Sequence, residues 1–261
     1  YMQDDYGNVT LVNVSGIYDE QPLFIDKLKK GGAGVIDAVS MTGTNGYCDD
    51  MAKENFREMM KEYPTKGIHF IDGGNYHYLT LLWLSLIEEP FDLIVFDNHS
   101  DMQKPAFGDV LSCGGWIRNL VEDSGFKGKV TVVGVDKDNI DKEMKELGVK
   151  FITKQTILKK RGQQYGLENE LIDKCWTGKR PVYISVDKDV LDEKEYKTNW
   201  NQGIMSVDEL FAIIEDTFEM RKVIGMDICG EMDEAVNSEF GSIYNEINQA
   251  VNMRFLKFRI S

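Results

Sequence analysis

Short apolar runs along this chain end, one after another, on an aspartate. Ile68–Ile71 stops at Asp72, Phe91–Phe96 at Asp97, Lys129–Val135 at Asp136 and Pro181–Val186 at Asp187. A strand that is apolar throughout, not at alternate positions, is buried on both faces. Further strands are expected over Val9–Ile17 and Val223–Ile228, and the run ending at Asp72 starts at Gly67. Between the runs lie stretches of helical character. Asp49–Tyr63 is polar with spaced Met and Phe, as an exposed amphipathic helix should be, and Tyr78–Ile87 is nearly all apolar. A helical stretch follows Asp136 as far as Leu147, Ser206-Val-Asp-Glu209 reads as a capping box opening a helix to Glu219, and Ile243–Phe255 has helical spacing. This alternation predicts a three-layer α/β/α fold around a mainly parallel sheet. Ligands of such sheets gather beyond the carboxyl ends of the strands, so the residues just after each run are where chemistry belongs.

No linker rich in Pro, Gly or Ser divides the chain, and residues 1–261 read as one domain. A net charge of −14 argues against a nucleic-acid-binding surface or a polybasic membrane patch. No apolar run is long enough to span a membrane, and the N-terminus lacks the basic-then-apolar layout of a signal peptide. Cys48, Cys113, Cys175 and Cys229 lie far apart and form no CxxC pair. That usage predicts reduced thiols and a cytoplasmic protein.

Several strand ends carry candidate ligands. Asp97-Asn98-His99-Ser100-Asp101 follows an apolar run, and if the chain stays extended its alternate side chains converge. Two carboxylates and an imidazole suit Mn²⁺, Fe²⁺ or Zn²⁺; a solvated polar turn is the plain alternative. With only three histidines in the chain, one set between two aspartates is a pointed placement. In Ser185-Val186-Asp187-Lys188-Asp189, two neighbouring carboxylates are costly without a cation. A phosphatase nucleophile motif of the haloacid-dehalogenase type also reads DxDxV, but belongs near the first strand of its domain. Asp72-Gly73-Gly74-Asn75-Tyr76-His77 combines a tight glycine turn with a histidine that reaches the strand ends. Asp227-Ile228-Cys229-Gly230-Glu231 ends another strand, with Glu231 either a cation binder or a surface carboxylate. His69 reads as packing, Asp136–Asp141 lacks the spacing of an EF-hand, and Asp233 and Glu234 read as solvated.

In this order, the Gly-Gly turn with His, then DxHxD, then SxDxDxxD, then D-I-x-x-E, the chain resembles the arginase/agmatinase (ureohydrolase) family from about Gly73 to Glu231. The resemblance implies an arginase-like fold and two Mn²⁺ ions, with Fe²⁺, Co²⁺ or Zn²⁺ as substitutes. It implies His77, Asp97, Asp101 and Asp187 at one ion and His99 and Asp189 at the other, with Asp97 and Asp187 bridging. It also implies hydrolysis of a guanidino or amidino C–N bond, releasing urea or a related product, as in arginases, agmatinases and formiminoglutamases. Asp101 would accept a hydrogen bond from the attacking hydroxide. Homo-oligomers are common in the family.

The departures concern substrate. The usual GGDH is Gly73-Gly74-Asn75-Tyr76-His77 here, which shifts the histidine by one position. Gln103 stands near the place of an Asn that contacts the amino acid in arginases. Ser112–Ile117 holds no histidine where the family uses one, and Gly230 takes the place of the guanidinium-binding Glu, with Glu231 one later. Gln103 and Glu231 are the expected substrate contacts. Two other readings follow from these departures. One is a catalytically silent metal-binding or sensory protein; the other is a single-zinc, deacetylase-like amidohydrolase.

Overall fold

The alternation of apolar runs and helices becomes one eight-stranded sheet in which every neighbouring pair runs parallel. The computed structural model describes residues 5–105, 108–163, 166–233 and 241–260. In chain order the strands are β1 (Val9–Asn13), β2 (Gly34–Asp37), β3 (Tyr47–Cys48), β4 (Ile68–Phe70), β5 (Asp92–Phe96), β6 (Leu111–Ser112), β7 (Val130–Val133), β8 (Lys150–Ile152), β9 (Val182–Asp187) and β10 (Val223–Cys229). The sheet order is β2-β1-β4-β10-β9-β5-β7-β8, while β3 and β6 form a separate antiparallel ribbon. The helices are α1 (Pro22–Lys30), α2 (Asp50–Met60), α3 (Leu79–Leu84), α4 (Trp116–Glu122), α5 (Lys142–Glu146), α6 (Lys154–Lys160), α7 (Gly166–Leu171), α8 (Val207–Met220) and α9 (Gly241–Phe255).

Successive strand residues point to opposite faces, and here each face is covered. Leu11, Ile94, Phe96, Ile184, Val186, Met226 and Ile228 join Phe24 and Leu28 of α1, Leu210 and Phe211 of α8, and Phe255 of α9. Val12, Leu93, Val95, Tyr183 and Ile224 join Phe56 and Met60 of α2, Trp83 of α3, and Ile117 and Leu120 of α4. That two-sided burial is why the strands lack polar alternation.

Several boundaries differ from the sequence reading. The first strand stops at Asn13, because Gly16 turns the chain at φ 89° into the 3-10 turn Ile17–Glu20. The apolar helix is limited to Leu79–Leu84. After Asp136 a 3-10 turn, Lys137–Asn139, precedes α5. α8 starts as expected, with Ser206 and Glu209 forming a reciprocal capping box.

The order sets β4, β10, β9 and β5 side by side at the middle of the sheet. Their carboxyl ends carry the stretches containing His77, Glu231, Asp187 and Asp97. The connection from β4 to β5 passes over β10 and β9, which creates a crevice of the kind where α/β proteins bind ligands. Among the described residues, no helix is long and apolar enough to cross a membrane.

Candidate metal centre

β5 and β9 are paired with Phe96 opposite Val186, so the residues that follow, Asp97 and Asp187, emerge together. Each uses its Oδ1 in the same way. Asp97 Oδ1 accepts the amide of His99 at 2.6 Å, and Asp187 Oδ1 the amide of Asp189 at 2.9 Å. The convergence therefore comes from two Asx turns and not from an extended strand end. Asp101 also leaves the extended conformation, at φ 48°. Asp101 and Asp72 (φ 74°) are the non-glycine residues with positive φ among those described, and both flank this centre. Asp72 accepts the amides of Val14 and Ser15 at 2.7 and 2.9 Å, which anchors the His77 turn to the end of β1.

The remaining atoms face one another. His77 Nδ1 lies 3.0 Å from Asp101 Oδ2, 3.3 Å from Asp97 Oδ2 and 3.6 Å from Asp187 Oδ2. His99 Nδ1 lies 2.8 Å from Asp189 Oδ2 and 3.5 Å from Asp97 Oδ1. Two groups, His77/Asp97/Asp101 and Asp97/His99/Asp189, each hold their donor atoms within 4.8 Å of one another and share Asp97. A third, His77/Asp187/Cys229, meets the same limit. The structure thus brings together all the expected ligands: His77, Asp97, His99, Asp101, Asp187 and Asp189.

The set fits cations better than it fits itself. His77 Nδ1 and Asp97 Oδ2 are buried and make no hydrogen bond of good geometry, as donor atoms reserved for a cation would be. Burial, with Asp189 and Asp97 nearby, pushes the Asp187 carboxyl above its usual range; burial and Asp97 raise Asp189. Burial also opposes charge on His99, but Asp189 and Asp97 outweigh it and raise the imidazole to about 12. Without metal, protons would have to hold this cluster together.

The network behind the ligands fixes a tautomer. Ser185 Oγ donates to Asp227 Oδ1 at 2.6 Å, and Thr80 donates to the same oxygen at 3.1 Å. With its proton committed there, Ser185 Oγ accepts from His77 Nε2–H at 2.9 Å, which leaves Nδ1 as a bare lone pair facing the carboxylates. Asp101 Oδ2 accepts the Trp116 indole N–H at 2.7 Å. Cys229 Sγ donates to Asp187 Oδ2 at 3.2 Å. Sequence reasoning included Ser185, Asp227 and Cys229 within motifs, and Trp116 within a segment, but gave none of them a role. Ser185 and Asp227 did carry a signal, as polar residues inside otherwise apolar strands.

A cavity of about 280 Å³ opens onto the centre, lined by Asn45, Tyr47, Asn75, Gln103, Cys113 and Trp200 besides the ligand side chains. Gln103, an expected substrate contact, is among the residues lining it. Glu231 is not. It is fully buried, paired with Lys188, and accepts from Gln21 at 2.7 Å and Asn252 at 2.7 Å. The turn before it explains this placement: Gly230, at φ 87°, passes so close to the centre that a Cβ would sit 2.5 Å from Asp187 Oδ1. Cys113 occupies the segment without histidine, and burial, then Asp101, raises its thiol to about 12. His69 stacks on Trp83 at 3.9 Å and donates Nε2–H to Pro64 O at 2.9 Å. Burial lowers its pKa to about 4, so it is a neutral packing residue. Asp136 caps its own 3-10 turn. Asp233 is half-buried, and a Cβ on Gly73 would lie 2.7 Å from its Oδ2; Glu234 lies outside the described residues.

The family model for the arginase family matches residues 28–232. An uncharacterized protein of Thermotoga maritima is 30% identical over 227 residues, 87% of this chain and 80% of that protein. Among solved structures, formimidoylglutamase of Bacillus subtilis aligns with a TM-score of 0.69 at 16% identity, covering 98% of this chain and 92% of that one. A hypothetical agmatinase of Burkholderia thailandensis gives 0.64 at 19%, covering 98% and 88%. The Mn²⁺-bearing formiminoglutamase of Trypanosoma cruzi gives 0.65 at 14%, covering 97% and 94%. At these identities the structural likeness is one of fold.

Proposed function

This chain belongs to the arginase family, and from that premise we propose that it hydrolyses a C–N bond of a guanidino or amidino small molecule at a centre of two divalent ions, Mn²⁺ first among them. One observation carries the reading: the bare, buried His77 Nδ1 and Asp97 Oδ2 face each other at 3.3 Å inside a ring of carboxylates. His77, Asp97, Asp101 and Asp187 would hold one ion, and His99 and Asp189 the other, with Asp97 and Asp187 shared. Divalent ions held by these residues would supply, near neutral pH, a hydrolytic nucleophile derived from water.

The protein's own groups do the rest. Gln103 and the cavity walls orient the planar amidine. Asp101, with Oδ2 held by Trp116, is the group placed to take a proton from the attacking water. The Ser112–Ile117 segment offers no imidazole acid, so Asp101 is also the group that returns the proton to the leaving amine. A cytoplasmic, water-soluble enzyme acting on a small molecule agrees with this reading.

The test begins with metal content per chain after Mn²⁺ loading and removal of loose ions. Two retained ions are expected, followed by urea, ammonia or formamide from at least one member of a guanidino and amidino panel. Retained metal without turnover would instead favour the silent binding protein, which the histidine-free segment recommends. A single zinc that manganese does not displace would favour an amidohydrolase of the deacetylase type.

A further inference from the structure

Among the described residues, the formal charge lining the cavity belongs to proposed metal ligands. Among the described residues lining it, the charged side chains are His99, Asp101, Asp187 and Asp189. The rest of the wall is neutral, including Asn45, Tyr47, Asn75 and Gln103. The adjacent Lys104 is turned away to Glu143 at 2.8 Å. A charged group at the far end of a substrate would thus lose water without gaining, among the described lining residues, a counter-charge beyond the proposed ligands, and that costs affinity.

The mouth offers something else. Trp200 is 41% exposed and Tyr47 53% exposed, yet the indole is held firmly. Its Nε1–H donates to Asn75 Oδ1 at 3.1 Å, and Asn75 Nδ2 donates to Asn45 Oδ1 at 2.7 Å. The ring meets His99 edge-to-face at 5.6 Å. It can lie so close because position 74 is glycine: a Cβ there would stand 2.9 Å from Trp200 Cδ1. The Trp200 loop is also tied to the Asp97 turn, since Asn98 Nδ2 donates to Asn201 O at 2.6 Å. An aromatic surface left to water and fixed beside a reactive centre is a preorganised platform for a flat group.

We propose that the substrate carries its guanidine or amidine on an uncharged, flat body, aromatic or amide-bearing, that lies against Trp200 while Asn45 and Gln103 bond its neutral heteroatoms. The inference rests on the hydrolase reading above and names the substrate class of that site. Arginine, with an ammonium and a carboxylate at its far end, and agmatine, with an ammonium, are excluded by it.

The test titrates the Mn²⁺-loaded protein by calorimetry with arginine, agmatine, 4-guanidinobutyrate, butylguanidine and 4-phenylbutylguanidine. Urea release is measured separately. The two compounds whose far end is uncharged are expected to bind at least about tenfold tighter than the three whose far end is charged. The phenyl compound is expected to exceed the butyl by about threefold or more, and Trp200→Ala, with metal content unchanged, should erase that extra gain. A member with a charged far end binding as tightly as butylguanidine, or no binding by any member, overturns the inference, and the unmutated protein alone decides this. Ligands with an uncharged tail bound but not cleaved support the inference and overturn the hydrolase reading. A member with a charged far end cleaved best does the reverse.

Discussion

At the scale of single residues the centre is a problem in proton accounting. A carboxyl whose pKa is raised by folding binds its proton more tightly in the native state than in the unfolded chain. The native protein then holds more protons in the interval between the two values, and stability falls as pH rises through it. Asp187 is pushed up to about 7 and Asp189 to about 6 from an ordinary 3.8, by burial first and then by neighbouring carboxylates. His77 and His99, also raised against burial, lose their contribution as pH rises above the ordinary histidine range. All four act in one direction. The metal-free protein should therefore melt at lower temperature near pH 8 than near pH 5, and Mn²⁺ should flatten that slope by replacing the protons; melting curves across this range check both statements. Asp97→Asn removes a charge that both ligand groups share, and retained manganese should fall by about half or more, read as metal per chain. Ser185→Ala leaves the ligands in place but frees the His77 tautomer. Metal affinity should drop about 10- to 100-fold, with little change in thermal stability of the protein loaded at saturating metal.

At the scale of elements, the proposed ligands were readable from sequence wherever they lay in one short stretch. Asp97, His99 and Asp101 announced themselves together, as did Asp187 and Asp189, because an Asx turn after an apolar strand packs its chemistry into a few positions. Trp200 and Trp116 gave no such signal, since each reaches the centre from a separate segment through contacts made only in the folded chain. Glu231 shows the opposite failure. Its sequence neighbourhood suggested the cavity, but the left-handed Gly230 sends it the other way. Gly230→Ala forces a Cβ against Asp187 Oδ1 at a φ that L-residues rarely adopt, and should abolish retention of at least one ion. Edge strands β2 and β8 and the short helices α4, α6 and α7 escaped the sequence reading because brief segments hold too few residues to show a period. By contrast, the α8 capping box was visible from its residues alone. Ser206→Ala should cost about 1 kcal/mol, a fall of roughly 2–4 °C in melting temperature, without touching metal content.

For the whole molecule, the Lys188–Glu231 pair joins regions far apart in sequence. Lys188 lies between two proposed ligands, and Glu231 accepts from Gln21 ahead of α1 and from Asn252 of α9. Lys188 also donates to Asn252 at 2.8 Å. Glu231→Ala strands a buried ammonium and should cost about 3–5 kcal/mol by urea denaturation, while Lys188→Met combined with Glu231→Leu should recover much of that loss. Sequence patterning revealed the parallel sheet but not this clasp, because nothing in local spacing says which buried charges will meet.

The strand order also dictates when the protein can come into being. β4 and β5 follow one another in the chain, yet β10 and β9 stand between them. A polypeptide emerging from the ribosome with residues up to about 180 has two separate three-stranded pieces, β2-β1-β4 bearing His77 and β5-β7-β8 bearing Asp97, with an unfilled slot where their neighbours belong. Only when the last third arrives does a pair of strands wedge the halves into register, bringing Asp187 and Asp189 between His77 and His99. The proposed metal centre is thereby completed only at the end of synthesis, and a chain cut short before Val182 carries His77, Asp97, His99 and Asp101 but neither Asp187 nor Asp189.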